Sequence, residues 1–193
     1  MFAKLNATAS CVHSVSFKPQ GSGGQAALWY AAPTKGLGTV VAGALFGTVA
    51  MGESPVVSKG EADVFLVKVD AVGVVSVVKT FGDATYNEIS GLAVDGSDNL
   101  YVASTGGGSI DFGGGALQSA GDQDVFVARL DPIGQHVWSR RFGDAREQVA
   151  SALAVDPDGY VLIAGHFSGN INLGSGGMDA VGLHDVFVAR LGP

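Results

Sequence analysis

Cysteine occurs once in this chain of 193 residues, at Cys11, so no intramolecular disulfide can staple the fold. A lone cysteine inside a strand-like run reads as a small apolar residue. It lacks the histidine and asparagine context that would mark a nucleophile. Cationic charge is also scarce: 11 Lys and Arg stand against 18 Asp and Glu, a formal net charge of −7. Phosphate backbones are held by clustered cations, and none cluster here, which argues against nucleic acid as a partner. The same balance argues against an anionic membrane surface. Helical faces are missing as well, because no stretch keeps apolar residues at i, i+3, i+4 and i+7 between capping residues over three turns. The beginning, Met1-Phe2-Ala3-Lys4-Leu5, has no basic stretch followed by an apolar core, so no secretory leader is expected there. The protein then either stays inside or is a mature or cut-down form. Low cysteine does not exclude export, since an adequate core needs no disulfides.

One uncharged run, residues 36–52, invites a membrane reading because Gly43-Ala44-Leu45-Phe46-Gly47 matches the small-residue pattern of membrane helix pairs. It is at the short limit for a span, and insertion into a membrane is not expected. Within it, Val41-Ala42-Gly43 recurs as Val102-Ala103-Ser104 and as Ile163-Ala164-Gly165, each 61 residues further on, in plainly strand-like surroundings.

That period organises the chain. Asp124-Val125-Phe126-Val127-Ala128-Arg129-Leu130 returns as Asp185-Val186-Phe187-Val188-Ala189-Arg190-Leu191, and appears more loosely as Asp63-Val64-Phe65-Leu66-Val67-Lys68-Val69. The offsets are 124 − 63 = 61 and 185 − 124 = 61. A fixed period of this size signals a repeat architecture. Four strands fit one period: residues 89–95, then 100–104, then a long Gly-rich connection to the 124–130 strand, then 136–142. Asp, Asn, Gly and Pro punctuate them, as hairpin turns require. β-branched and aromatic runs dominate, so the fold class expected is all-β. The first repeat is degenerate, with Phe2–Leu5 matching the third strand at a slip of three and Val12–Phe17 matching the fourth.

Four short antiparallel strands per repeat suggest a propeller blade. With Ala93-Val94-Asp95, Ala154-Val155-Asp156-Pro157-Asp158-Gly159-Tyr160-Val161, the Asp-Val-Phe-Val-Ala-Arg-Leu strands, Trp138 and two Phe-Gly-Asp elements, the sequence resembles the bacterial seven-bladed β-propeller repeat family and, more distantly, NHL-type propellers. The resemblance covers nearly the whole chain, weakly before residue 60. It implies that the Ala-Val-Asp strand lies innermost and the Trp138 strand outermost. It also implies an extracellular or cell-surface setting. The expected division is a partial blade at 1–25, blades at 26–82 and 87–142, and a blade at 150–191 without its outer strand. Three blades are too few to close a ring. Two chains pairing head to tail, each N-terminus completing the other's last blade, would give a six-bladed homodimer. Phe2–Leu5 and Val186–Leu191 are the same kind of strand and contend for one slot.

Candidate chemistry is thin. Asp83 and Asp144 recur at 61, with Asn87 and Gln148 at a second equivalent position. They read either as repeated turn caps or as a ring of ligand-binding groups at a channel mouth. Asp156-Pro157-Asp158-Gly159 begins like a Ca²⁺ loop, yet the further oxygens such a site needs are missing, so a hairpin turn is the competing reading and no cofactor is expected. Asp111, Asp122, Asn172 and Asp179 lie in the Gly-rich connections. His13, His136, His166 and His184 show no metal-ligand spacing. The expected role is a non-enzymatic scaffold for binding or self-assembly, with itself, a glycan or a protein as partner. The alternatives are a lectin-like propeller using Trp29, Tyr101 and Trp138, and a hydrolase or lyase using the channel-mouth carboxylates.

Overall fold

The computed structural model describes residues 2–5, 8, 11–52 and 54–192. The protein is all-β, with no α-helix among those residues. Among the described residues no helix is long and apolar enough to cross a membrane.

Strands β1 (Phe2–Leu5) and β2 (Cys11–Val15) form an N-terminal hairpin. The first sheet holds β3 (Lys18–Pro33), β4 (Thr39–Met51), β5 (Ser54–Val57), β6 (Asp63–Val69) and β7 (Val75–Phe81). Its order is β3-β4-β6-β7, with β5 paired to the far end of β4. Next come β8 (Asn87–Val94) and β9 (Leu100–Gly106), then a small hairpin of β10 (Ser109–Ile110) and β11 (Leu117–Gln118). Strands β12 (Asp124–Leu130) and β13 (His136–Phe142) complete a second sheet in the order β8-β9-β12-β13. The third sheet is β14 (Gln148–Val155), β15 (Val161–Phe167) and β18 (Asp185–Leu191), in the order β14-β15-β18. Between its last two strands lies the small hairpin of β16 (Asn170–Asn172) and β17 (Gly177–Asp179). All pairings between strands are antiparallel and each sheet is a meander.

The turns have one recurring cause. An aspartate ends a strand and its Oδ1 accepts the amides two and four residues on. Asp70 does so with Val72 and Val74, Asp95 with Ser97 and Asn99, Asp131 with Ile133 and Gln135, and Asp156 with Asp158 and Tyr160. This local capture of amides by a short carboxylate is what makes Asp a turn former.

Alternation along the strands then stacks the sheets, because successive side chains face opposite ways. Val64 and Leu66 point toward the second sheet and meet Ile89, Val102, Phe126 and Ala128. Val125 and Val127 repeat this against Ala150, Val161, Ile163 and Phe187 of the third sheet. The other face of the first sheet, with Val41, Phe65, Val67 and Val69, is covered by Val15 and Phe17. The rings of Phe17 and Phe65 meet edge to face at 6.1 Å.

Two features depart from the sequence reading. Strand β3 begins at Lys18, inside the segment assigned to the partial N-terminal blade, and pairs Lys18–Gln20 with Thr48–Ala50. Most of the run that invited a membrane reading, residues 39–51, forms β4, paired to β3 with register shifts between Gln20 and Gln25 and between Leu28 and Tyr30. The Gly-rich connections are also not open loops. Each folds into a two-stranded hairpin that buries apolar residues against the preceding sheet: Ile110 and Phe112 in one, Ile171 and Leu173 in the other.

Candidate functional site

The polar candidates gather where one sheet's last strand passes into the next sheet's first. After β7, Gly82 is at φ 153° and leads into Asp83. Asp83 Oδ1 accepts hydrogen bonds from the Thr85 amide at 2.8 Å and the Thr85 hydroxyl at 2.6 Å, and Oδ2 accepts the Ser109 amide at 2.7 Å. Asp144 repeats this with the amides of Arg146 and Asn170, both at 2.8 Å. The remote amide lies 26 residues on in each case, 109 − 83 and 170 − 144. Each carboxylate thus laces the loop between two sheets to the small hairpin of the following one. The close approach needs glycine: a Cβ on Gly108 would stand 2.0 Å from Thr85 Oγ1 and 2.8 Å from Asp83 Oδ2, and one on Gly169 2.6 Å from Asp144 Oδ2.

Burial pushes the Asp83 carboxyl up, but the donors from Thr85 and Ser109 outweigh it and hold it down at about 2. Asp144 is likewise raised by burial and brought below the usual carboxylate range by Arg146, Asn170 and Gln148. Both are charged at neutral pH and are already committed to backbone donors. A general base needs a lone pair facing a substrate proton, and these oxygens face amides of their own fold.

Asn87 and Gln148 are fully buried. Gln148 Oε1 accepts the Asp144 amide at 2.9 Å, and its Nε2 donates to Asp144 Oδ1 and the Ser168 carbonyl, both at 2.8 Å. Asn87 is one methylene shorter, makes only a 3.4 Å contact to Asp83, and leaves its Oδ1 without a partner. The four predicted residues therefore form two pairs, one in each seam.

A third aspartate, which the sequence reading used only as the start of a strand, belongs to the same seams. Asp63, Asp124 and Asp185 each accept, on Oδ2, the amide four residues earlier. Asp63 and Asp124 are both 0% exposed. Asp124 also binds Arg141 Nη1, whereas Thr80 stands at the equivalent place beside Asp63. Burial therefore raises the Asp63 carboxyl, against the Lys59 amide, and the nearby Asp83 charge adds to the rise. The 61-residue recurrence of these aspartates was the signal available in the sequence.

The Asp156 carboxylate is taken up by donors of its own chain. Asp156 Oδ1 takes the amides of Asp158 and Tyr160, and Oδ2 takes Nε and Nη2 of Arg190 at 3.2 and 2.7 Å. Arg190 also lies over the Tyr160 ring, 3.5 Å from its centroid. With four donors on it, the carboxylate works as a turn cap tied to β18. Among the described residues, no group of three His, Cys, Asp or Glu is placed to hold a metal.

In the Gly-rich connections Asp111 caps Gly113 and Gly115, Asn172 caps Gly174, and Asp179 pairs with Asn170. Asp122 is exposed. His136 meets Ser139, and His166 and His184 come together with ring centroids 5.4 Å apart, which their spacing did not suggest. The His13 side chain lies outside the described residues.

The three aromatics proposed for sugar binding do not share a surface. Tyr101 is buried and bonds Asp95, Trp138 lies on the outer strand β13 beside Arg140, and Trp29 sits at the register shift in β3. Equivalent shifts occur around Ser90 and Ser151, so a recurring β-bulge sets the position of Trp29.

No protein-family model matches this chain. The chain is similar to the regulatory protein FlaEY of Caulobacter vibrioides, at 29% identity over 145 residues. The match covers 68% of this chain and 14% of that protein's length.

Proposed function

We propose that the chain is a non-enzymatic β-propeller scaffold that assembles with itself, each meander sheet acting as a blade. Two copies joined head to tail make a six-bladed ring at or outside the cell surface. One observation carries this reading. Val186 and Val188 on β18 are 83% and 79% exposed, whereas Val125 and Val127, at the same positions one period earlier, are 0% exposed under the following sheet. Leu162, 39% exposed, stands likewise to Tyr101 at 1%. Sequence and geometry repeat, so the third sheet presents a face shaped to receive another sheet of the same kind. An apolar face of this sort marks an interaction surface. FlaEY bears a regulatory name, and regulation by binding requires no reaction, which agrees with a scaffold.

Light scattering after size exclusion tests the proposal. The expected result is a species of twice the 19.5 kDa chain mass that persists on dilution. A monomer at every concentration overturns the proposal, and so does a distribution that grows without limit, since it would mean that the rotation between copies does not close.

A further inference from the structure

The self-assembly reading leaves open what forms the joint, and the N-terminal hairpin answers that. Its pairing reproduces the outer half of the other units. Leu5 faces Cys11 after a register shift between Lys4 and Leu5. Leu130 faces His136 after a shift between Arg129 and Leu130, and Val69 faces Val75 after one between Lys68 and Val69. Strands β6 and β12 are flanked on their other side by β4 and β9, but β1 pairs with β2 alone. Strand β18 has the opposite lack, with β15 on one side and no fourth strand among the described residues on the other.

The grooves agree with this. In the first seam a groove of about 250 Å³ has Gly134, Gln135 and His136, at the start of β13, in its lining. In the second seam the corresponding groove, beside Arg140 and Leu173, is larger, about 450 Å³, and runs along Val188–Leu191 of β18. The hairpin is held to the first sheet by Val15 and by Lys4 Nζ donating to the Leu37 carbonyl, yet leaves a gap. A groove of about 380 Å³ separates Ala3 and Lys4 from Ala31–Thr34, and Leu5 is 57% exposed.

We infer that β2 of one copy pairs with the free edge of β18 in a second copy, becoming the fourth strand of its third sheet, and that β1 is an intramolecular stand-in for β18. The two strands carry the same pattern, Phe2-Ala3-Lys4-Leu5 and Val188-Ala189-Arg190-Leu191, and contend for one edge of β2. β18 is the better occupant because it is seven residues long against four and arrives already paired with β15. Exchange would also carry Val186 and Val188 of the second copy onto the first sheet of the copy that supplies β2, beside Phe65 and Val67. While β2 holds β1, the joint is capped, so assembly is gated by release of β1. The register follows from the match: Ala128 faces Ser139 and Ala3 faces Ser14, so Ala189 is expected to face Ser14 of the other copy.

The test uses the full chain with Cys11→Ser as background. One variant carries Ser14→Cys and Ala189→Cys, and a second carries Ala3→Cys and Ser14→Cys, which locks β1 to β2 on exposed positions. The expected results are a covalent dimer from the first on oxidation or with a short thiol crosslinker, and a locked second variant that stays monomeric until reduced. A locked hairpin that leaves a dimer unaffected overturns the exchange but spares the assembly reading. The absence of a dimer from every variant, reduced or oxidised, overturns both.

Discussion

Gly91 lies at a close approach of two sheets, where β8 packs on β14. A Cβ there would stand 2.6 Å from Leu153 Cβ and 3.2 Å from the Leu153 backbone N, so neither a rotamer change nor a small rotation relieves Gly91→Ala. Its φ is not in the left-handed region, and backbone strain does not confuse the result. Overpacking of a closed core costs about 1–3 kcal/mol. The smaller conformational freedom of the unfolded alanine chain returns about 0.4–1 kcal/mol. The net loss is then about 0–2.6 kcal/mol, and at roughly 2–4 °C per kcal/mol for a domain of this size it lowers the melting temperature by up to about 10 °C. Gly96, in the next turn, has nothing within 4 Å of its would-be Cβ, and Gly96→Ala is the control. Thermal unfolding followed by circular dichroism decides the matter. Adding Leu153→Ala to Gly91→Ala will not restore the loss, because alanine keeps both obstructing atoms. If Gly91→Ala and Gly96→Ala melt together with the parent, the stacking of β8 on β14 is wrong.

The seams and the open face make three further predictions. Asp63, raised by burial, favours the native state only while protonated, and that contribution is lost as pH rises through its folded value. Asp63→Asn is therefore expected to stabilise the protein at neutral pH, whereas Asp124→Asn removes the charge paired with Arg141 and costs about 1–3 kcal/mol; urea melts showing the same sign for both would refute this. Asp83 is held at about 2, so its contribution is present above the ordinary carboxylate value near 4 and is lost as pH falls between about 4 and about 2. Asp83→Asn should flatten stability across that window and speed hydrogen exchange at the Ser109 amide; an unchanged pH profile counts against the lacing. Finally, Val186→Lys should abolish the dimer with monomer stability within about 0.5 kcal/mol, while Val125→Lys, one period earlier, buries a charge and unfolds the chain. Equal tolerance of the two in thermal melts and light scattering would remove the case for the open face.

The all-β class and most strand positions could be read from the sequence because the period of 61 residues let three weak copies support one another. The aspartate turns were legible for the same reason. What was missed depended on partners distant in sequence. Nothing in Lys18–Gly24 announces a strand until Thr48–Ala50 lies beside it. The small hairpins look like loops because only Ile110, Phe112, Ile171 and Leu173 are apolar enough to be drawn under the preceding sheet. Asp83 and Asp144 could be picked out by recurrence, yet recurrence alone did not distinguish a ligand oxygen from one facing an amide 26 residues away. The difference between Asn87 and Gln148, a single methylene, decides whether the seam glutamine or asparagine is satisfied, and it is invisible without the carbonyl of Ser168 in place.

Because each lacing carboxylate joins one unit only to the next, every seam is written in the same local grammar. Duplication or loss of one whole period in the gene would leave reading frame, strand alternation and both flanking seams intact. Length is then a heritable variable for this architecture, and the number of stacked sheets in the chain can change by recombination without any new seam contact having to arise by point mutation.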